Sequence, residues 1–250
     1  MGLFFSFESV ILKNDQVVGS DLLMISFHEV SKHYDSLVAL ADVSFEVADA
    51  EFVFLVGPTG AGKSTLLKLI IREDLPTSGK VFVDSLEVSS LPDSRIPHLR
   101  RQVGTVFQDF KLLSQRTVFE NIAFPLEILG LPDEEIEKTT KETLEMVNLE
   151  HKSNHFPVQL SGGEAQQTAI ARAMVLRPEI ILADEPTGNL DAGSAWEVMK
   201  LLGHLNSLGT TVIMATHNMD ITSSLPHRKI ELQKGRVVAD SKQKGAKKGK

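Results

Sequence analysis

Two stretches of the chain hold side chains at spacings suited to chemistry on a phosphate. GPTGAGKS, Gly57 to Ser64, matches G-x-x-x-x-G-K-[ST]; it follows an apolar run and opens a helical one, LLKLII. In that setting Gly57, Pro58, Thr59, Gly60, Ala61 and Gly62 form a loop whose backbone N–H groups turn inward on a phosphate. The helix entered through Lys63, Ser64 and Thr65 adds the favourable potential of its N-terminus. Lys63 would reach the β- and γ-phosphates and Ser64 would bind Mg²⁺. The second stretch, IILADE, ends four apolar residues on Asp184 and Glu185. It places one carboxylate at a strand's C-terminal edge, where Mg²⁺ needs a second oxygen partner, and another beside the γ-phosphate.

A third stretch, LSGGEA at Leu160 to Ala165, is a second small-residue turn about a hundred positions after the first. Ser161 followed by two glycines at the head of EAQQTAIARAM reads as the start of a helix, a place that favours negative charge. One nucleotide does not need two such loops.

The elements that must position these residues follow from hydropathy. FVFLV (52 to 56), VGTVF (103 to 107), IILAD (180 to 184) and TVIMA (211 to 215) are nearly continuous apolar runs, which predicts a parallel sheet covered on both faces. ISFHEV, VSFEVA, KVFV, RKIEL and RVVA alternate instead, which predicts half-buried, antiparallel strands. Val198, Leu201, Leu202, Leu205 and Leu208 recur at helical spacing up to Gly209, and Pro132 to Glu135 supply an acidic first turn for a helix to about Leu149. The class is α/β, with a helical insertion between VGTVF and LSGGEA.

Composition narrows the field. The chain has 250 residues, a formal net charge of -7 and no cysteine. Disulfides and thiolate metal sites are therefore excluded. The last nine residues, KQKGAKKGK, hold five lysines, so the rest is more acidic still, which argues against a nucleic-acid partner. No run approaches the roughly 18 apolar residues of a membrane span, and MGLFFSFESV lacks the pattern of an export signal. Residues 1–23 read as an extension ahead of the patterned sequence, and 241–250 as a solvated, disordered tail.

In order along the chain stand Tyr34, the phosphate loop, Gln108 after a strand, the turn Leu160 to Glu164, Asp184 and Glu185, the segment GNLD at Gly188 to Asp191, and His217 after the last core strand. This ordered series resembles the ATP-binding cassette (ABC) ATPases over about Met24 to Asp240. The resemblance implies a P-loop, RecA-like core with a parallel sheet, an antiparallel β subdomain, and a helical signature subdomain at about 109–175, the whole domain spanning 24–240. It also implies that two copies pair head to tail on ATP, each signature turn (Ser161, Gly162, Gly163) capping the ATP on the opposite phosphate loop. The second glycine turn then serves the partner's nucleotide.

By the same resemblance Tyr34 stacks on adenine and Asp191 is one of the nucleotide-binding residues. Gln108 senses Mg²⁺, alongside Ser64 and Asp184, and the attacking water. Glu185 is the general base or water-positioning group, and His217 contacts the γ-phosphate. Longer segments, among them IPHLRRQVGTVFQDFKLL and GTTVIMATHN, are similar to the branch of the family that serves bacterial cell division. That branch implies a cytoplasmic ATPase, peripheral on the membrane, driving a separate membrane protein through about 109–130. A lipoprotein-release or efflux cassette is the alternative, and a soluble cassette acting on DNA or ribosomes a further one. One departure stands in the signature helix: Gln167 where an arginine is usual, and Ala165 where a glutamine is usual.

Overall fold

The computed structural model describes residues 23–242. The extension at 1–23 and the tail at 241–250 lie outside the described residues except for Leu23, Ser241 and Lys242. The chain opens with β1 (Leu23–Tyr34), β2 (Leu37–Ala48), β3 (Phe52–Val56), α1 (Lys63–Ile70), β4 (Ser78–Val83), β5 (Leu86–Glu87), α2 (Ile96–Gln102) and β6 (Val103–Val106). Three helices follow, α3 (Val118–Ile128), α4 (Asp133–Met146) and α5 (Gly162–Met174). It closes with β7 (Ile180–Asp184), α6 (Ala192–Ser207), β8 (Thr211–Thr216), α7 (Met219–Ser224), β9 (Arg228–Gln233) and β10 (Arg236–Asp240).

Two sheets result. One is antiparallel, in the order β2-β1-β4-β5; the other runs β10-β9-β3-β8-β7-β6. The four apolar runs are parallel strands of the second sheet, and β3 and β8 are buried along their whole length. Alternate side chains of the same strand feed different cores, as the two-residue period of a strand requires. Val53 and Leu55 join α1 and the antiparallel sheet, while Phe52 and Phe54 join α3 to α6.

RKIEL departs from its expected place. As β9 it is antiparallel only to β10 and parallel to β3, so it extends the main sheet. Its alternation reflects a nearly peripheral position: Ile230 and Leu232 are buried while Glu231 and Gln233 face solvent. The helix expected to reach Leu149 stops at Met146. Asn148 takes a left-handed φ of 56°, and the N–H groups of Asn148 and Leu149 return to the carbonyls of Glu145 and Leu144. That is the two-bond helix stop which the sequence of α6 also makes at Gly209, whose φ is 101°.

Gly104, in β6, lets the signature helix lie close on the sheet. A Cβ there would stand 2.5 Å from the Ala173 carbonyl oxygen of α5. Arg228 closes the opposite edge. Its guanidinium pairs both Asp240 oxygens, at 2.9 and 2.6 Å, and reaches Glu51 and the Glu46 carbonyl. Burial alone would push the Asp240 carboxyl up, but the Arg228 bonds and charge and the Lys242 N–H hold it below the usual carboxylate range. The folded state therefore favours the ionised form, a contribution present above about pH 4 and lost as pH falls through the depressed value. Asp240→Asn is expected to lower stability by about 2–3 kcal/mol at neutral pH, since a buried guanidinium loses its main partner. Urea unfolding at pH 7 and again below pH 4 checks this, the gap between variant and wild type narrowing in acid.

Candidate active site

The phosphate loop joins β3 to α1. Gly62 caps α1 in the left-handed region at φ 105°, and a Cβ there would stand 2.7 Å from the Ala39 carbonyl oxygen. No side chain caps α1 and its first turn carries no acidic residue, whereas Ser161 caps α5 and Asp191 caps α6. The N–H groups at the start of α1 are thus left for a ligand, at the positive end of the helix. Lys63 is buried, and its ammonium folds back over the loop, donating to the carbonyls of Gly57 at 2.8 Å and Pro58 at 3.2 Å.

Sheet order brings the second carboxylate pair to this loop. β8 lies between β3 and β7, so the C-terminal ends of all three strands open on the same edge. The Glu185 N–H donates to Ala215, and the residue takes a left-handed φ of 48°, a strained conformation that turns its side chain off the strand line. One carboxylate oxygen of Glu185 lies 3.4 Å from the Lys63 ammonium and 2.9 Å from His217 Nδ1; the other accepts the His217 N–H at 3.2 Å. Lys63, more than a hundred positions ahead of the other two, therefore meets Glu185 and His217 at one point. A carboxylate held between an ammonium and an imidazole can accept a proton or orient a water, and the two donors can take charge building on a phosphoryl group.

Asp184 lies deeper. Burial pushes its carboxyl up from the ordinary carboxylate range; the neighbouring Ser64 hydroxyl opposes the push, Glu185 adds to it, and Lys63 opposes. Asp184 Oδ1 is buried with no hydrogen-bond partner. A buried acceptor without a partner costs about 1–3 kcal/mol, so it fits a position that gains its partner from a ligand. Among the described residues no group of three or more His, Asp or Glu could hold a metal by itself. A hydroxyl and one carboxylate beside a phosphate loop do match the donor set of a small, hard cation that takes its remaining ligands from phosphate and water.

The remaining expected residues lie around this centre. The Gln108 amide donates to Asn189 Oδ1 at 3.2 Å, so it rests on the GNLD segment and not on the Ser64–Asp184 pair. Ser161 and Glu164 form a reciprocal cap on α5: the Ser161 hydroxyl accepts the Glu164 N–H, and the Glu164 carboxylate accepts the Ser161 N–H. The Ser161 hydroxyl hydrogen stays available to an acceptor. Gly162 and Gly163 pack on Leu190 and Ser194, where a Cβ would approach to 3.3 and 2.7 Å. Asp191 accepts the N–H groups of Gly193 and Ser194 and the Ser194 hydroxyl. Within one chain it is a helix cap, and its carboxyl is held low by those bonds. Tyr34 ends β1 half-exposed, with its hydroxyl on Asp74. Ala165 is buried and Gln167 half-buried in α5.

Sequence reasoning missed Arg172. From α5 it donates to the carbonyls of Phe110 and Lys111, two consecutive left-handed residues just after Gln108. It ties the signature helix to the segment that Gln108 leads into. Only its helical spacing from the signature could have suggested this, and that spacing does not name the acceptors.

This fold and site define an ATPase of the P-loop, ATP-binding-cassette type. A family model described as ABC transporter matches residues 40–188. The chain is 48% identical over 218 residues to the "Cell division ATP-binding protein FtsE" of Bacillus subtilis, covering 87% of this chain and 96% of that one. It is 43% identical over 215 residues to the protein of the same name in Escherichia coli K12, covering 86% and 97%. Among solved structures, the dimeric, post-hydrolysis ATP-binding cassette MJ0796 bound to ADP and Pi is similar at a TM-score of 0.80 and 38% identity, over 87% of this chain and 98% of that one. CbiO1 from Clostridium perfringens, part of the ABC transporter complex cbiONQ, gives a TM-score of 0.82 at 31% identity, over 90% and 92%. The chain belongs to the ABC transporter family, in the branch of the FtsE proteins.

Proposed function

We propose that this chain is the ATP-hydrolysing subunit of a bacterial cell-division assembly, two copies closing head to tail on ATP and driving a separate, FtsX-like membrane protein that regulates cell-wall hydrolysis. The observation that carries the reading is the convergence of Lys63, Glu185 and His217 beside a helix end left uncapped for phosphate. The FtsE relatives, matched over nearly their whole length, support the pathway.

In this reading residues 57–65 cradle the phosphates, with Lys63 on the terminal ones, and Tyr34 carries adenine. Ser64 and Asp184 would hold Mg²⁺, which would neutralise charge on the phosphates, and Gln108 would join them on leaving Asn189. Glu185 orients or deprotonates the attacking water and His217 steadies the γ-phosphate. Ser161, Gly162 and Gly163 face the nucleotide of the second copy and Asp191 joins the nucleotide site; the similar cassette MJ0796 is dimeric with ADP and Pi bound.

The membrane partner has a place to act. A cavity of about 420 Å³ lies between α2, β6, α3 and α5, with Phe107, Leu113, Phe124, Pro125 and Ile128 among its apolar lining. Lys111, Leu113, Phe124, Pro125 and Ile128 of this lining belong to the 109–130 segment. No helix among the described residues is long and apolar enough to cross a membrane, so force passes through such a surface. Ile128 is 67% exposed there, and Ile128→Asp is expected to lose the membrane partner while retaining MgATP binding.

The deciding experiment expresses the Glu185→Gln variant in its native host, solubilises membranes in mild detergent with ATP and Mg²⁺, and identifies what co-purifies. An FtsX-like protein supports the division role. A lipoprotein-release or efflux permease would keep the catalytic reading and replace the pathway, and no membrane protein at all would favour a soluble cassette.

A further inference from the structure

The end of β1 carries a cluster that the phosphate chemistry does not use. Lys32 and Tyr34 are two apart on the strand and so share a face. The Lys32 ammonium stands 4.7 Å from the centroid of the Tyr34 ring and 2.5 Å from Asp74 Oδ1, while the Tyr34 hydroxyl donates to Asp74 Oδ2 at 2.5 Å. Asp74 thus holds the cation with one oxygen and the phenol with the other. Burial of the Tyr34 hydroxyl and its bond to Asp74 raise the phenol above its ordinary value.

The cluster is fixed from both sides. Lys32 donates to the Leu75 carbonyl at 2.9 Å, and the Leu75 N–H returns to Asp74 Oδ1 at 2.8 Å. The His33 N–H donates to the Thr77 hydroxyl, and the Thr77 N–H to the Ser31 carbonyl. Residues 74–77 are the connection between α1 and β4, so these bonds stitch the strand that carries the ring to the helix that begins at the phosphate loop. The ring itself is held at three points: a cation over one face, a carboxylate at its hydroxyl, and the backbone of β1. At 38% exposure it still offers aromatic surface to a ligand.

We propose that Lys32 and Asp74 are positioning residues for the purine base: together they hold the Tyr34 ring at a set angle and distance from the phosphate loop, so that its free face receives adenine. The inference rests on the reading of Tyr34 as the adenine platform. A ring with two free torsions would lose rotamer freedom on stacking, and a ring already clamped does not. Lys32 and Asp74 need not touch the nucleotide; they act through the tyrosine.

The test measures MgADP affinity by calorimetry, and inorganic Mg-tripolyphosphate affinity by displacement of MgADP, for wild type, Tyr34→Ala, Tyr34→Phe, Asp74→Ala and the milder Asp74→Asn. Tyr34→Ala is expected to weaken MgADP about tenfold or more, the worth of one base stacked on one aromatic. Asp74→Ala and Tyr34→Phe should each weaken it about fivefold through the lost charge-assisted bond, Asp74→Asn less. None should move tripolyphosphate affinity more than about twofold, because the phosphate loop is untouched. Asp74→Ala added to Tyr34→Ala should cost nothing further. An Asp74→Ala protein that binds MgADP at full strength, or loses both ligands alike, or adds to Tyr34→Ala, would overturn the clamp and leave the platform standing. Full MgADP affinity in Tyr34→Ala would overturn both.

Discussion

Lys63→Ala is expected to bring ATP hydrolysis to background and ATP binding below detection at millimolar nucleotide. The wild-type ammonium is buried and held by two loop carbonyls and the Glu185 carboxylate, so it is already at the point where phosphate charge must be met. Nothing else close to that point can take its place: His217 is the other donor on Glu185, and its side chain is 56% exposed. Phosphoryl transfer depends on positioning and charge stabilisation, and losing a single such group costs about 10²- to 10³-fold in rate before any loss of binding is added. Arginine is not a substitute, because a planar guanidinium cannot fold over a loop closed this tightly. Calorimetry with MgATP and phosphate release under single-turnover conditions decide the matter. Normal hydrolysis by Lys63→Ala would refute the phosphate-loop assignment.

Glu185→Gln separates binding from chemistry. Glutamine keeps the shape of the side chain and can still accept the His217 N–H, but it removes the charge facing Lys63 and the proton acceptor facing a water. Hydrolysis should fall about 10²- to 10³-fold while MgATP binding persists. Loss of a negative charge beside the γ-phosphate position also removes repulsion toward bound ATP. The ATP-bound form should therefore accumulate, and with it the head-to-tail pair in which Ser161 to Gly163 of one copy close on the phosphate loop of the other. Sizing chromatography with light scattering should show a dimer with ATP and a monomer without. A variant that stays monomeric with ATP, even with the proposed membrane partner supplied, would count against the pairing.

Much of this site was legible before any coordinates. A phosphate loop is a local device: its glycines, its lysine and the helix that follows lie within nine residues, and each signals its backbone need by type. The helix start at Ser161 is read the same way, because its bond to Glu164 closes over three residues; the cap that Asp191 gives α6 was not read. Continuous against alternating hydropathy separated the buried strands from the half-exposed ones, but not parallel from antiparallel. RKIEL alternates because it lies near the sheet edge, yet it is parallel to β3: alternation reports exposure of a face, not the direction of the neighbouring strand.

What could not be read was every contact that depends on which strands lie side by side. The amide of Gln108 meets Asn189, the guanidinium of Arg172 meets two carbonyls near Gln108, and Asp74 meets Tyr34 from the far end of α1. None of these pairs has a spacing to recognise, since loops of any length could bring them together. Asp74 has no sequence mark at all; it is one acidic residue in a turn.

By itself, then, the amino-acid sequence determined the class of the fold, the phosphate loop, the strand ends that carry Asp184 and Glu185, and the helix start at Ser161, because each is encoded by hydrogen bonds and periodicities that span only a few residues. Tertiary structure alone decided that Lys63, Glu185 and His217 share one carboxylate, that Asp184 is buried with an oxygen unmet, and that the Tyr34 ring is clamped, because these follow from β8 lying between β3 and β7 and from the antiparallel sheet closing on α1. Burial and through-space charge are properties of the assembled chain, and no residue carries them until its neighbours arrive.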